Sequence, residues 1–174
     1  MSTTAAIKTA LERNVKVIEA RPSIAQGTAV TKVTFHPGLA CDIEDGPWKF
    51  SVGMTEKYGG MNNGPNPGVY GRAALGSCLA IGYGMWAARL DIVVRSLTVE
   101  VKARYDVRGE LGVDHSIRPG YADIVYVVTV DTDASDADVQ RWLDTADRHS
   151  SWLDDLQNPV PVSREVHIVG GEHA

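Results

Sequence analysis

The sequence predicts an α+β fold in which helices pack on antiparallel strands, and three observations carry that reading. Short runs of alternating apolar and polar residues are broken by His36-Pro37-Gly38 and Asp45-Gly46-Pro47, the pattern of strands joined by tight turns. A long segment from Pro67 to about Leu90 has almost no charge between Arg72 and Arg89, which reads as a helix buried on most sides. The signals come as helix, three strands, long helix, two strands, helix and strand, a blocked order and not a strict alternation.

Each element has a local cause. Ile7, Ala10, Leu11, Val15 and Ile18 recur near a 3.6-residue period, so a helix is expected first. Arg21-Pro22 ends it, because a residue before proline resists the helical region. Strands are expected at Thr28–Phe35, Leu39–Glu44 and Trp48–Val52. The Gly-, Asn- and Pro-rich stretch Tyr58–Pro67 is a loop that delivers Pro67 to the first turn of the long helix, where proline is tolerated. Beyond it, Leu97, Val99, Val101 and Ala103 alternate with Thr98, Glu100 and Lys102, a half-buried strand within Val93–Tyr105. A polar excursion, Asp106–Tyr121, contains DVRGELG and is expected as surface loop. A strand at Ala122–Val130 follows. Ser135-x-x-Asp138 is a capping pattern opening a helix to about His149. A short helical turn at Trp152–Leu156 and a closing strand at Val160–Val169 complete the chain, and Trp142 and Trp152 are expected in the core or as an aromatic wall. The tail Gly170–Ala174 is expected to be mobile.

A chain of 174 residues is about one domain's worth. One domain over 1–174 is expected, with an N-terminal helix in 1–22 and a core over 28–169. A net charge of −5 without a basic run argues against nucleic acid as a partner. Lys8, Glu12, Arg13 and Lys16 interrupt any leader-like apolar stretch, and no apolar run approaches the roughly 18–20 residues of a membrane span. A cytoplasmic protein without a membrane partner is expected. Cys41 and Cys78 make neither a disulfide framework nor a metal-ligand spacing, and no pair among the five histidines has such spacing either. No metal and no cofactor are expected.

The long helix is rich in glycine, each costing about 1 kcal/mol relative to alanine. Gly76, Ala80 and Gly84 lie at i, i+4 and i+8, a face open to close approach by another backbone. Leu75, Leu79, Tyr83 and Trp86 carry bulk on the other side. Enclosing such a helix favours a dimer. Cys78 sits well inside it. By residue type alone Cys78 is a small buried hydrophobe or a thiol, and it lies too far from the helix start for the dipole to activate it strongly.

The segment Gly64-Pro65-Asn66-Pro67 followed by Ala73-Ala74-Leu75-Gly76-Ser77-Cys78-Leu79-Ala80 resembles the central helix of the OsmC/Ohr family, the osmotically inducible and organic hydroperoxide resistance proteins. The strand-like Ser96–Ala103 follows in the family's order. Ala146-Asp147-Arg148-His149-Ser150 is similar to the segment around the family's second cysteine, and Asn158-Pro159-Val160-Pro161-Val162 to its closing strand. The likeness spans roughly residues 28–169. It implies an OsmC-like fold: antiparallel sheets on two long central helices, in an intertwined homodimer with sites at the interface. It also implies a thiol peroxidase, in which one cysteine attacks a hydroperoxide and a second resolves the sulfenic acid, while an arginine and a glutamate hold the first as thiolate.

Carried onto this chain, the resemblance makes Cys78 the peroxidatic cysteine. Ser150 stands where the resolving cysteine belongs and cannot form a disulfide. Gly68-Val69-Tyr70 stands where the glutamate would follow Asn66-Pro67. Residues 22–71 contain no arginine, leaving Arg21 or Arg72 as off-position substitutes. The resemblance therefore implies a one-cysteine hydroperoxide reductase of oxidative-stress defence, acting on an organic hydroperoxide with an external thiol as reductant. His149, Ser150, Tyr70 and Arg72 are the candidate supporting or pocket-lining residues, and Cys41 a candidate substitute resolver. Two other functions stay open. Cys78 and His149 could form a thiol–imidazole pair for other nucleophilic chemistry, although a histidine ending a helix also serves its dipole. A non-catalytic dimer could instead bind a small hydrophobic molecule at its interface, with Cys78 as lining.

Overall fold

A computed structural model of the chain describes residues 4–169; the expectation for Gly170–Ala174 lies outside them. Helix α1 (Thr4–Ala20) is followed by a 3-10 turn at Pro22–Ala25, so the break at Arg21-Pro22 falls where the proline predicts. Strands β1 (Lys32–His36), β2 (Ala40–Asp45) and β3 (Trp48–Gly53) form an antiparallel sheet in the order β1-β2-β3. The first strand starts four residues later than expected, because β2 ends one residue beyond the Glu44 that pairs with Lys32: Thr31 reaches Asp45 only through its hydroxyl, and Thr28–Val30 have no strand residue to face. Both reversals use left-handed backbone, at Gly38, Leu39 and Gly46, which the sequence supplied with glycine at two of the three.

Helix α2 (Pro67–Arg89) runs 23 residues, and its start is built as the sequence asks. Asn66 caps it by accepting from the Val69 amide at 3.1 Å, and Pro67 occupies the first turn. Strands β4 (Val94–Arg104) and β5 (Asp123–Thr132) pair antiparallel in a second, two-stranded sheet. Between them, the expected surface loop contains a single helical turn, α3 (Val107–Glu110), capped by Asp106. Helix α4 (Asp136–Asp147) opens on Ser135, whose hydroxyl accepts from the Asp138 amide at 3.2 Å and donates to its carboxylate at 2.8 Å. Helix α5 (Ser151–Gln157) closes the regular structure. Mixed helices and antiparallel sheets are thus the architecture, with α2 and α4 at its centre.

The core gathers Leu75, Leu79, Tyr83 and Ala87 of α2 against Trp142 and Ala146 of α4, Leu153 of α5 and Ile92. Val99, Val101, Ile124, Tyr126 and Val128 of the second sheet pack on it. Trp142 is fully buried, donates from Nε1 to the Tyr83 carbonyl at 2.8 Å, and meets the Tyr83 ring edge-on. Removing so large a side chain from a close-packed site would leave a cavity that the neighbours cannot close.

Four expectations need correction. First, α2 is buried along one face only: Ile81 is 64% exposed, and Val69 and Met85 also face outward. Uniform apolarity implies something to cover every side, and this chain covers one. Second, only Gly76 of the small-residue face is closely packed, since a Cβ there would meet Val101 Cγ2 at 3.2 Å whereas one at Gly84 would meet nothing within 4 Å. Third, Trp152 is 45% exposed on α5; as the neighbour of Leu153 it points about 100° away, and Leu153 takes the inward direction. Fourth, residues 158–169 form no strand. Their alternation is that of a strand, but among the described residues they join neither sheet, and an unpaired strand has no independent stability.

Candidate functional site

The chain reverses between α4 and α5 through a tight hydrogen-bonded turn, in which the His149 amide donates to the Ala146 carbonyl and the Ser150 amide to the Asp147 carbonyl. That turn brings Ser150 and Ser151 against the middle of α2. The Cys78 sulfur lies 3.4 Å from Ser150 Oγ and 3.7 Å from Ser151 Oγ. The backbone amides of Ser151 and Trp152, which open α5, favour the ionised form of this sulfur.

Ser150 occupies the N-cap position of α5, yet its side chain makes no capping hydrogen bond. A serine there ordinarily turns its oxygen back onto the first free amides of the helix. Here the hydroxyl faces the Cys78 sulfur instead. Burial is the largest influence on the Cys78 thiol and pushes it up. The Ser150 hydroxyl, the Trp152 amide, and the hydroxyl and amide of Ser151 together outweigh that and leave it below its ordinary value. Donors to the charged form favour it, and the nucleophile of a cysteine is its thiolate.

Beside the sulfur is a mostly apolar pocket of about 300 Å³, lined by Cys78, Ile81, Met85, Trp86, His149 and Ser151 among others. Its volume sits at the small end of the range for ligand pockets. His149 is tied to the pocket wall: its Nδ1 donates to the Thr145 carbonyl at 2.7 Å, and its ring tilts over Trp86 with centroids 4.6 Å apart. That bond leaves Nε2 as its free nitrogen. The Arg89 guanidinium covers Trp86 at 4.3 Å from the ring centroid.

The structure therefore gathers Cys78, Ser150 and His149 at one place, with His149 on the pocket wall and not hydrogen-bonded to the sulfur. Tyr70 and Arg72 are engaged elsewhere. Tyr70 donates to the Ser51 carbonyl at 2.7 Å and its ring lies on Phe50. Arg72 donates to the Tyr121 hydroxyl at 3.0 Å, and Tyr121 donates in turn to the Gly68 carbonyl. Both pin the start of α2 to its surroundings. Cys41 is half-buried in β2 opposite Phe35 and Val52, with its thiol free. Ser151 and the Trp152 amide escaped sequence reasoning. The signal for them was Ser150-Ser151 at the start of a short helix, two candidate cap residues where one suffices. No group of three or more metal-ligating side chains occurs among the described residues, and no described helix is long and apolar enough to cross a membrane.

An α+β unit with a cysteine in its central helix, facing the turn between two later helices, defines the class. The family model described as OsmC-like protein matches residues 60–165, which contain the whole site. The chain belongs to the OsmC/Ohr family. No curated protein matches the sequence. Among solved structures, it is similar to an OsmC-like protein from Mycoplasma pneumoniae, with 12% identity and a TM-score of 0.66 over 77% of this chain and 90% of that one. An organic hydroperoxide resistance protein OsmC from Legionella pneumophila aligns at 14% identity and a TM-score of 0.56, covering 76% and 90% of the two chains. An organic hydroperoxide resistance protein from Elizabethkingia anophelis aligns at 14% and 0.58, covering 77% and 91%. At such identities the likeness is one of fold.

Proposed function

We propose that the protein is a one-cysteine peroxidase of organic hydroperoxides, acting through the Cys78 thiolate in defence against oxidative stress. The observation that carries this reading is a sulfur within hydrogen-bond reach of the Ser150 and Ser151 hydroxyls, on the wall of an apolar pocket. The thiolate attacks the terminal oxygen of the hydroperoxide, an S–O bond forms as the O–O bond breaks, and the alkoxide takes up a proton to leave as alcohol. Sulfur is oxidised by two electrons and the peroxide reduced by two. An external thiol then attacks the sulfenic acid, releasing water and leaving a mixed disulfide, and a second thiol frees Cys78. Ser150 and Ser151 play no resolving part, since a hydroxyl forms no disulfide. Neutral donors stand in for the arginine and glutamate that the family resemblance implies.

The working unit we propose is a homodimer. Its support is the apolar surface the single chain leaves open: the outward face of α2 at Ile81 and Met85, Phe35 and Trp48 of the first sheet, and the unpaired segment 158–169.

Iodoacetamide alkylation of Cys78 across pH, read on its own peptide, tests the thiolate. The expected midpoint lies below that of free cysteine. Consumption of an organic hydroperoxide with added dithiol, lost in Cys78→Ser, tests the chemistry. An inert thiol would sink the peroxidase and leave the pocket as a binding site for a small hydrophobic molecule.

A further inference from the structure

We propose that Asp147, gripped between two tyrosines, is the positioning residue that holds Ser150 and the first amides of α5 against the Cys78 sulfur. This rests on the thiolate reading of Cys78 and adds to it a device that sets the geometry.

Asp147 is the last residue of α4, and both its carboxylate oxygens are occupied. Tyr83 donates to Oδ1 at 2.6 Å and Tyr126 donates to Oδ2 at 2.8 Å. Tyr83 is on α2, five residues beyond Cys78 and 1% exposed, and Tyr126 is on β5. One carboxylate therefore ties three elements together. Burial and the Asp147 carboxylate push both phenols up, Tyr126 to about 12, so both remain donors across the ordinary pH range. Tyr83 is itself fixed from behind, because Trp142 donates to its carbonyl.

From Asp147 the link to the sulfur is short and stiff. The Ser150 amide donates to the Asp147 carbonyl at 3.1 Å, and Ser150 is 5% exposed. A shift of Asp147 along α2 must carry Ser150 with it, and a sulfur hydrogen bond of 3.4 Å has little length to lose. No cation pairs with Asp147 among the described ion pairs. A carboxylate satisfied only by phenols, where an apolar residue could have packed, is an expensive way to join helices. What it adds over packing is register: two short hydrogen bonds fix α4 along α2, whereas apolar contact tolerates sliding.

Charge and positioning predict opposite signs, which makes the proposal separable. A carboxylate near a thiol disfavours the thiolate, so by charge alone Asp147→Asn would make Cys78 more reactive. If Asp147 positions the donors, Asp147→Asn makes Cys78 less reactive. Tyr126→Phe leaves the charge and removes one tie. The other charged or titratable groups nearby are Asp144, which bears on Tyr126, and His149 on the pocket wall; neither is altered.

The experiment is the alkylation–pH profile of Cys78 in the full-length protein, read on its peptide, with thermal unfolding of the same samples. Asp147→Asn and Tyr126→Phe are expected to move the profile to higher pH, slowing alkylation at neutral pH by about threefold or more. Ile92→Val, a core change outside the site, is expected to lower the melting temperature and leave the profile in place. Folded variants that keep the wild-type profile would overturn the proposal. So would faster alkylation in Asp147→Asn, or a loss that Ile92→Val reproduces. A wild-type profile equal to that of free cysteine would overturn the thiolate reading, and this inference with it.

Discussion

The two sheets of this protein are built from similar material and end in opposite circumstances. In β4 and β5 every second residue is at least half-covered, because α2 lies across one face. In β1 all but the last residue are exposed, and Phe35 stands 66% open to solvent. Alternation alone predicts strands in both. Whether a strand's apolar side is covered depends on what the rest of the chain places over it, and α2 covers one sheet only. The sulfur site sits on the covered half, where neighbours are fixed; Phe35 and Trp48 stand open on the other.

Substitutions should divide along that line. Trp142→Ala on the covered side is expected to cost about 3–5 kcal/mol in denaturant unfolding, from the lost volume and the cavity left behind. A cost under 1 kcal/mol would mean the α2–α4 contact is far softer than its burial indicates. Ser150→Ala removes the nearest donor to the sulfur and leaves the packing nearly intact. Alkylation of Cys78 at neutral pH should slow about tenfold, the worth of one hydrogen bond to a charged atom, with little change in unfolding.

Alkaline titration gives a smaller, distributed effect. Tyr126 holds its proton to about 12 in the fold against an ordinary 10.0. The unfolded chain thus loses that proton first. Its contribution to stability is whole below pH 10 and is lost as pH rises toward 12. Tyr126→Phe should flatten the fall in stability over that interval, followed by phenolate absorbance alongside unfolding. Smallest of all, Phe35→Ala on the open sheet should change the unfolding of dilute protein by under about 0.5 kcal/mol. If a second copy covers that sheet, the same change should weaken association in sedimentation, and an unchanged association would place the partner surface elsewhere.

Most of the architecture was legible because its causes are local. Asn66-Pro67, Ser135-x-x-Asp138 and Arg21-Pro22 mark helix ends through their own backbone chemistry, and the structure places those ends there. The segment 158–169 was not legible, since its alternation specifies a strand but not the backbone that would pair with it. Cys78 was readable as a candidate site from its motif. The resemblance also offered Ser150 and His149 beside it, but residue patterns alone did not: Ser150 is 72 residues away in sequence, and only the packing of α4 on α2 brings the two together. Asp147 was hidden for the same reason, as one of four carboxylates spread along α4, distinguished only by the tyrosines it meets.

The sulfur beside the start of α5 belongs to another helix, and that has a thermodynamic consequence. The amides of Ser151 and Trp152 favour the ionised sulfur, so by reciprocity the ionised sulfur favours the first turn of α5 to the same extent. The state of a single atom on α2 and the integrity of a helix near the other end of the chain are two readings of one equilibrium.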